Sequence, residues 1–212
     1  MNQIVECVPN FSEGNDKEII NSISNAIKNT KGVNLLNVDP GKATNRTVMT
    51  FVGDPDSVIN AAFNAIKVAS QKIDMSKHKG EHPRFGATDV CPLVPVSNIS
   101  LDELIPYAIK LAKKVANDLK TPVYLYEHAA KSKTRKNLAN IRSGEYEGLK
   151  EKLLKKEWFP DYGTKEFNQK SGAIAIGVRD FLIAYNVNLN TKSTRLANAI
   201  AFDVREKGRI KR

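Results

Sequence analysis

Two cysteines in 212 residues, Cys7 and Cys91, are too few and too scattered for a disulfide framework, a CxxC pair or a zinc ribbon. Reduced thiols packed in the interior are expected, and Cys91 suits that role in the apolar run Val90-Cys-Pro-Leu-Val-Pro-Val96. No apolar stretch approaches the roughly 20 residues that span a bilayer. The N-terminus also lacks a basic region leading into an apolar signal core. A soluble, cytoplasmic protein with no membrane partner is therefore expected. Aromatic content is low at 7%, and neither an RNP-type aromatic run nor a zinc finger is present, so nucleic acid is not expected as a partner. Neither a nucleophile elbow nor a phosphate-cradling P-loop occurs, which weakens nucleophilic and nucleotide-dependent readings.

What the chain does have is apolar residues at 41%, with glycine and proline at ordinary levels, enough for one main globular domain. Thirty-three Lys and Arg against 23 Asp and Glu give a net charge of +10, which favours anionic partners without naming them.

Periodicity orders the elements. Gln3 to Pro9 reads as a strand, and Lys17 to Asn29, with Ile19, Ile20, Ile23 and Ile27, as a helix. Val33 to Val38 and Thr47 to Val52 are β-favouring and are joined by the polar segment Asp39 to Arg46. Ala61 to Ile73 is helical in composition, and Ala87 to Val96 supplies the next strand. This β-α-β-β-α-β opening predicts an α+β, ferredoxin-like sandwich. Leu101 to Leu119 is an amphipathic helix capped by Asn98 or Ser100. Val123 to Tyr126 is a short strand, Lys131 to Arg142 is polar and basic, and Tyr146 to Lys156 is a further helix. Trp158 to Gly172 has loop composition. Ala173 to Val178 and Leu182 to Leu189 are β-like, and Thr191 to Glu206 has helical spacing ended by Lys207-Gly208.

The densest chemistry lies in His78-Lys-Gly-Glu-His82-Pro-Arg-Phe-Gly-Ala-Thr-Asp89. Pro83 disfavours the α conformation at His82, and Gly80 and Gly86 permit tight turns, so His82 is expected on a loop. An imidazole with an ordinary pKa of about 6.5 serves as donor or acceptor of a proton near neutrality. The plainer alternative is a surface or hydrogen-bonded loop histidine. His78 and His82 are four apart, but Gly80 and Pro83 break the helix that would let them share a zinc ion, and no metal is expected.

Several ordered segments carry a resemblance: Val5-Glu-Cys-Val-Pro-Asn-Phe-Ser-Glu-Gly14, Val38-Asp39 with Thr44-Asn-Arg-Thr-Val48, the His82 loop, Pro122-Val-Tyr-Leu-Tyr126, Ile141-Arg142 with Gly144-Glu-Tyr-Glu147, Trp158-Phe-Pro-Asp161, and Phe181-Leu-Ile-Ala-Tyr-Asn-Val-Asn188. Together they resemble the formiminotransferase domain of glutamate formimidoyltransferases. The resemblance implies an N-terminal subdomain over 1–178 and part of a similar C-terminal subdomain, a strand plus a helix, over 179–212. It implies transfer of a formimidoyl group between N5 of tetrahydrofolate, a co-substrate, and L-glutamate in histidine degradation, in a protein expected to form homo-oligomers. His82 matches the family's catalytic histidine, as general base and then general acid. Asp39 is a candidate to stabilise the cationic amidine or orient His82. Arg46 and Arg84 are candidates to grip a carboxylate, and Asn45 to bind substrate polar atoms, with loop salt bridges and turn hydrogen bonds as the alternatives. The folate-contacting loop maps onto Gly163-Thr164-Lys165-Glu166-Phe167-Asn168-Gln169-Lys170-Ser171-Gly172, where Phe167 either meets a ligand ring or packs beneath the loop. His78 and His128 are read as hydrogen-bonded or exposed. A second reading is a noncatalytic folate- or protein-binding relative.

Overall fold

Pro9 cannot donate to a ladder, and it splits one line of chain into β1 (Ile4–Cys7) and β2 (Asn10–Phe11). Both halves lie between β4 (Arg46–Gly53) and β5 (Thr88–Ser97), antiparallel to each. β3 (Val33–Gly41) forms a hairpin with β4, and β7 (Ile174–Val178) joins β5 to β6 (Val123–Glu127) in parallel. The sheet therefore runs β3, β4, β1 with β2, β5, β7, β6. This computed structural model describes residues 2–183 and 187–204, and its chain divides between Asp180 and Phe181 into two units.

Three amphipathic helices cover one face. α1 (Lys17–Lys28) is capped by Asp16, and its buried Ile20, Ile23 and Ile27 recur at helical spacing. α2 (Pro55–Lys72) starts with a proline behind the Asp54 cap and turns Ala61, Ala62, Ala65 and Ala69 inward. α3 (Leu101–Leu119) begins with a full capping box between Ser100 and Glu103. Met49, Phe51, Cys7, Cys91 and Leu93 meet these helices in the main core.

The opposite face is covered over only half its width within this unit. α4 (Lys133–Lys136), α5 (Leu138–Arg142) and α6 (Glu145–Lys152) contribute to a second core, in which Ile141, Leu149 and Leu153 pack with Val90, Tyr124 and Ala175. Over β3 and β4, residues such as Asn37, Asp39, Val48 and Thr50 remain at least partly exposed. The functional side chains sit beside this open half.

The mixed sheet with helices against it agrees with the ferredoxin-like expectation. Asn10–Phe11 is an unexpected extra strand. The polar, basic stretch 131–142 supplies two short helices; Asn137 caps the second and Ile141 anchors it in the core. Leu182 to Leu189 departs from its strand reading: 182–183 and 187–189 belong to no strand, and 184–186 lie outside the described residues. In the second unit, α7 (Thr194–Val204) matches the helical spacing; residues 205 and 206 of the expected helix lie outside the described residues.

One edge of the sheet gathers the loops that matter. The ends of β2 and β3 and the starts of β4, β5, β6 and β7 all lie there, as their pairing directions require. Gly86 bridges Gly172 at this edge, with the Ala173 carbonyl oxygen where a β-carbon would go. Gly86→Ala should therefore lower unfolding free energy by about 1–3 kcal/mol, measured by denaturant titration, because two backbones must separate to admit the methyl group.

Candidate active site

Asp89 is a charged residue in an otherwise apolar strand, and a β-bulge explains its direction. Pairing passes from Asn10–Val90 to Phe11–Thr88, so Asp89 is the extra residue with no partner opposite. Its carboxylate is 1% exposed, accepts the Phe85 N–H at 3.1 Å, and forms an ion pair with Arg142 at the end of α5. Burial pushes the Asp89 carboxyl up, against the opposing pull of the Arg142 charge, the Phe85 N–H and Arg46.

The His82 loop is clamped from both sides. Asn45 adopts left-handed φ of +46°, which asparagine tolerates, and its amide makes three hydrogen bonds. Its Oδ1 accepts from Gly14 N–H and Asn15 Nδ2, each at 2.9 Å, while Nδ2 donates to the Lys79 carbonyl at 2.9 Å. Arg84 is likewise committed: its guanidinium donates to Glu145 and Glu147 at 2.7–2.9 Å, and its Nε–H donates to His78 Nδ1 at 3.2 Å. His78 passes the link on through Nε2–H to the Asn45 carbonyl at 2.9 Å. The carboxylate-gripping role expected of Arg84 and the substrate contact expected of Asn45 thus meet groups already occupied in bracing the loop. His128 is exposed at the far end of β6.

His82 itself is only partly buried. Its Nδ1 lies 2.7 Å from the Pro83 carbonyl oxygen, which can only accept, so the proton is on Nδ1 and the Nε2 lone pair is free in the neutral ring. Burial and the Arg46 charge hold the His82 pKa below its ordinary value; Arg142 acts in the same direction, while Asp89 and the Pro83 hydrogen bond oppose. Neutral His82 is thereby favoured at pH 7.

Arg46 opens β4 on the open face and makes no hydrogen bond or ion pair among the described residues; its buried Nε is unpartnered. Burial and the Arg142 charge depress its pKa, while Asp89 and Asp39 support it. Asp39 stands opposite Val48 on β3, exposed on that same face. An imidazole nitrogen, a guanidinium and a carboxylate that have no hydrogen-bond partner among the described residues therefore share one region at this end of the sheet. Such a set can move a proton, hold a carboxylate and favour a cation.

Residues 4–179 match the family model for the formiminotransferase domain, N-terminal subdomain. The chain belongs to the formiminotransferase family. It is 55% identical over 210 residues to a formimidoyltransferase-cyclodeaminase of Dictyostelium discoideum, covering 99% of this chain and 39% of that protein. It is 47% identical over 206 residues to a glutamate formimidoyltransferase of Thermoplasma acidophilum, and 44% over 208 to one of Streptococcus pyogenes serotype M1. Those alignments cover 96% and 98% of this chain, and 68% and 70% of the respective relatives. The chain thus spans about two fifths of the bifunctional relative and about two thirds of the shorter ones.

In this formiminotransferase unit, the end of the segment Gly163–Gly172 flanks the chain on either side of the His82 loop. Phe167 packs against Tyr146 with ring centroids 5.4 Å apart and the rings tilted by 48°. The Lys170 carbonyl accepts from Met75 N–H and the Ser171 carbonyl from Ala87 N–H, at 2.8 and 2.9 Å. Lys152 braces the other wall. Its buried ammonium donates to the carbonyls of Asn140, Ile141 and Ser143 at 2.6–3.0 Å, fixing the turn that carries Arg142. Burial, then Lys155 and Arg135, lower Lys152 to about 8, so it is still charged at neutrality.

Asp89, Arg142 and Lys152 were missed as site residues. A lone Asp immediately before the apolar run Val90-Cys-Pro-Leu-Val94 is a legible signal for the first. Arg142 lies in the family-like pair Ile141-Arg142, to which no role attaches by sequence, and Lys152 lies among other lysines where nothing distinguishes it. In an NMR titration of the histidine rings, Arg46→Gln should raise the His82 pKa and Asp89→Asn should lower it, because the former removes a like charge and the latter an opposite one.

Proposed function

We propose that the chain carries the His82 half of a site that transfers a formimidoyl group from N5 of tetrahydrofolate to the amino group of L-glutamate, as in histidine degradation. The observation that carries this reading is His82, with Nδ1–H tied to Pro83, Nε2 free, and two arginines disfavouring its protonated form. Family membership supplies the reaction class; the relatives' names specify formimidoyl transfer.

The electron and proton movements then follow. The glutamate amine, having released its ammonium proton to solvent, attacks the carbon of the protonated formimidoyl amidine, and the C=N electron pair moves to the exocyclic nitrogen, leaving it a neutral NH2. The new ammonium centre gives a proton to His82 Nε2. His82 returns that proton to N5 as the carbon–N5 bond breaks and the exocyclic C=N bond re-forms, releasing tetrahydrofolate and N-formimidoylglutamate. Charge in the intermediate collects on nitrogen, not on an oxyanion, so acceptors and carboxylates near the carbon are what the reaction needs. Asp39 meets that need, and Arg46 grips a substrate carboxylate. The strongly positive chain attracts both substrates, since folate and glutamate are anions.

We assign folate contacts to Gly163–Gly172 from its course along the same edge as His82, and place residues 179–212 in a second subdomain. The test is transfer between 5-formimidoyltetrahydrofolate and glutamate by the purified chain. His82→Ala should lower kcat/KM by about 10²–10⁴ without loss of folding. In the wild type, kcat/KM should fall with acidification through a pKa below about 6.5, because the base must be neutral. Near-wild-type turnover in His82→Ala would defeat the assignment, and folate binding without turnover in the wild type would favour a noncatalytic relative.

A further inference from the structure

The ring of His78 is used at both nitrogens, and its partners settle its tautomer. Arg84 Nε–H, which can only donate, lies 3.2 Å from Nδ1, while the Asn45 carbonyl oxygen, which can only accept, lies 2.9 Å from Nε2. Nδ1 therefore holds the lone pair and Nε2 the proton. His82 is the reverse case, with its proton on Nδ1 against the Pro83 carbonyl. Two neighbouring histidines thus hold opposite tautomers.

What the His78 ring joins explains why this matters. His78 and Arg84 stand on either side of the turn that carries His82, and the bond between their side chains closes that turn. A longer contact from Arg84 Nη2 to the His78 carbonyl, at 3.5 Å, spans the same gap. Glu145 and Glu147 hold the guanidinium from behind, so its Nε–H reaches the ring already oriented. On the other side, the Asn45 carbonyl belongs to the peptide whose nitrogen is that of Arg46. One imidazole therefore fixes the His82 turn to the start of the strand that supplies Arg46, whose charge lowers the His82 pKa.

We propose that His78 is a positioning residue for His82, acting in its Nε2–H tautomer as a link with one acceptor and one donor between Arg84 and the Asn45 carbonyl. This rests on the function proposed above and deepens it. The opposite tautomer would set N–H against N–H at Arg84 and lone pair against lone pair at Asn45. Without the link, the His82 turn parts from the Arg46 strand, and His82 loses the burial and charge that hold its pKa down. Glutamine supplies the same two functions, a carbonyl oxygen and an amide N–H on one carbon, whereas leucine fills comparable space with neither.

The experiment compares wild type, His78→Gln and His78→Leu by NMR of the imidazole nitrogens and by transfer kinetics. His78 should appear as the Nε2–H tautomer in the wild type. The low His82 pKa should persist in His78→Gln and rise toward about 6.5 in His78→Leu. In turnover, His78→Leu should lose on the order of 10²-fold in kcat with little change in KM, and His78→Gln should recover most of it. A wild-type His78 in the Nδ1–H tautomer overturns the proposal whether or not either variant folds. So does a His82 pKa that is unchanged in folded His78→Leu, a His78→Gln as impaired as His78→Leu, or a loss carried by KM alone, which would make His78 a substrate contact. Where His78→Leu does not fold, the tautomer and the His82 pKa of His78→Gln decide the matter. A wild type that transfers nothing defeats the functional reading separately, because the NMR outcomes need no turnover.

Discussion

A buried carboxylate holds the site together. Asp89 receives the Phe85 N–H from the end of the His82 loop and the Arg142 guanidinium from α5, so three separate pieces of chain converge on one anion. Bringing that charge out of water is expensive, and burial raises its pKa accordingly. The cost is offset only while every partner stays in place. Removing one partner of such a pair typically costs about 3–5 kcal/mol. Strand β5, the loop before it and the helical cover of the second core are therefore mutually dependent.

Around this anion the cations are unequally neutralised. Arg142 has a direct counter-charge, whereas Arg46 is half-buried with an unpartnered Nε. Burial and this uncompensated guanidinium lower the His82 pKa, and the positive potential makes the same place attractive to carboxylates. In the proposed reaction, this one electrostatic imbalance serves both the base and the carboxylate site. The anchored Nδ1–H adds orientation, because it leaves a single nitrogen for proton transfer.

Much of the surrounding polarity is structural. Arg84, His78 and Asn45 form a continuous chain of hydrogen bonds that binds the His82 loop to the β3–β4 hairpin and to α6. Lys152 does equivalent work for the turn carrying Arg142, and the backbone of Lys170 and Ser171 for the other flank of the loop. Loop residues near a reaction centre look alike in composition whether they touch substrate or brace those that do. What separates them is whether their donors and acceptors are already used.

Local pattern alone was enough for the helices Lys17–Lys28 and Leu101–Leu119, the strands of the open half, and the placement of His82 on a loop, because side-chain period, caps and the Gly and Pro restrictions act over neighbouring residues. The family segments, read in order, were also sufficient to identify the formiminotransferase relationship. Pairing across the sheet decided the rest. The bulge that turns Asp89 and the meeting of Arg142 with it both depend on residues 53 to 80 positions apart. The same long-range contacts consumed Arg84 and left Arg46 free, although both are single arginines in polar loops by sequence. A sequence states which groups can bond; only the tertiary fold determines which bonds are already made.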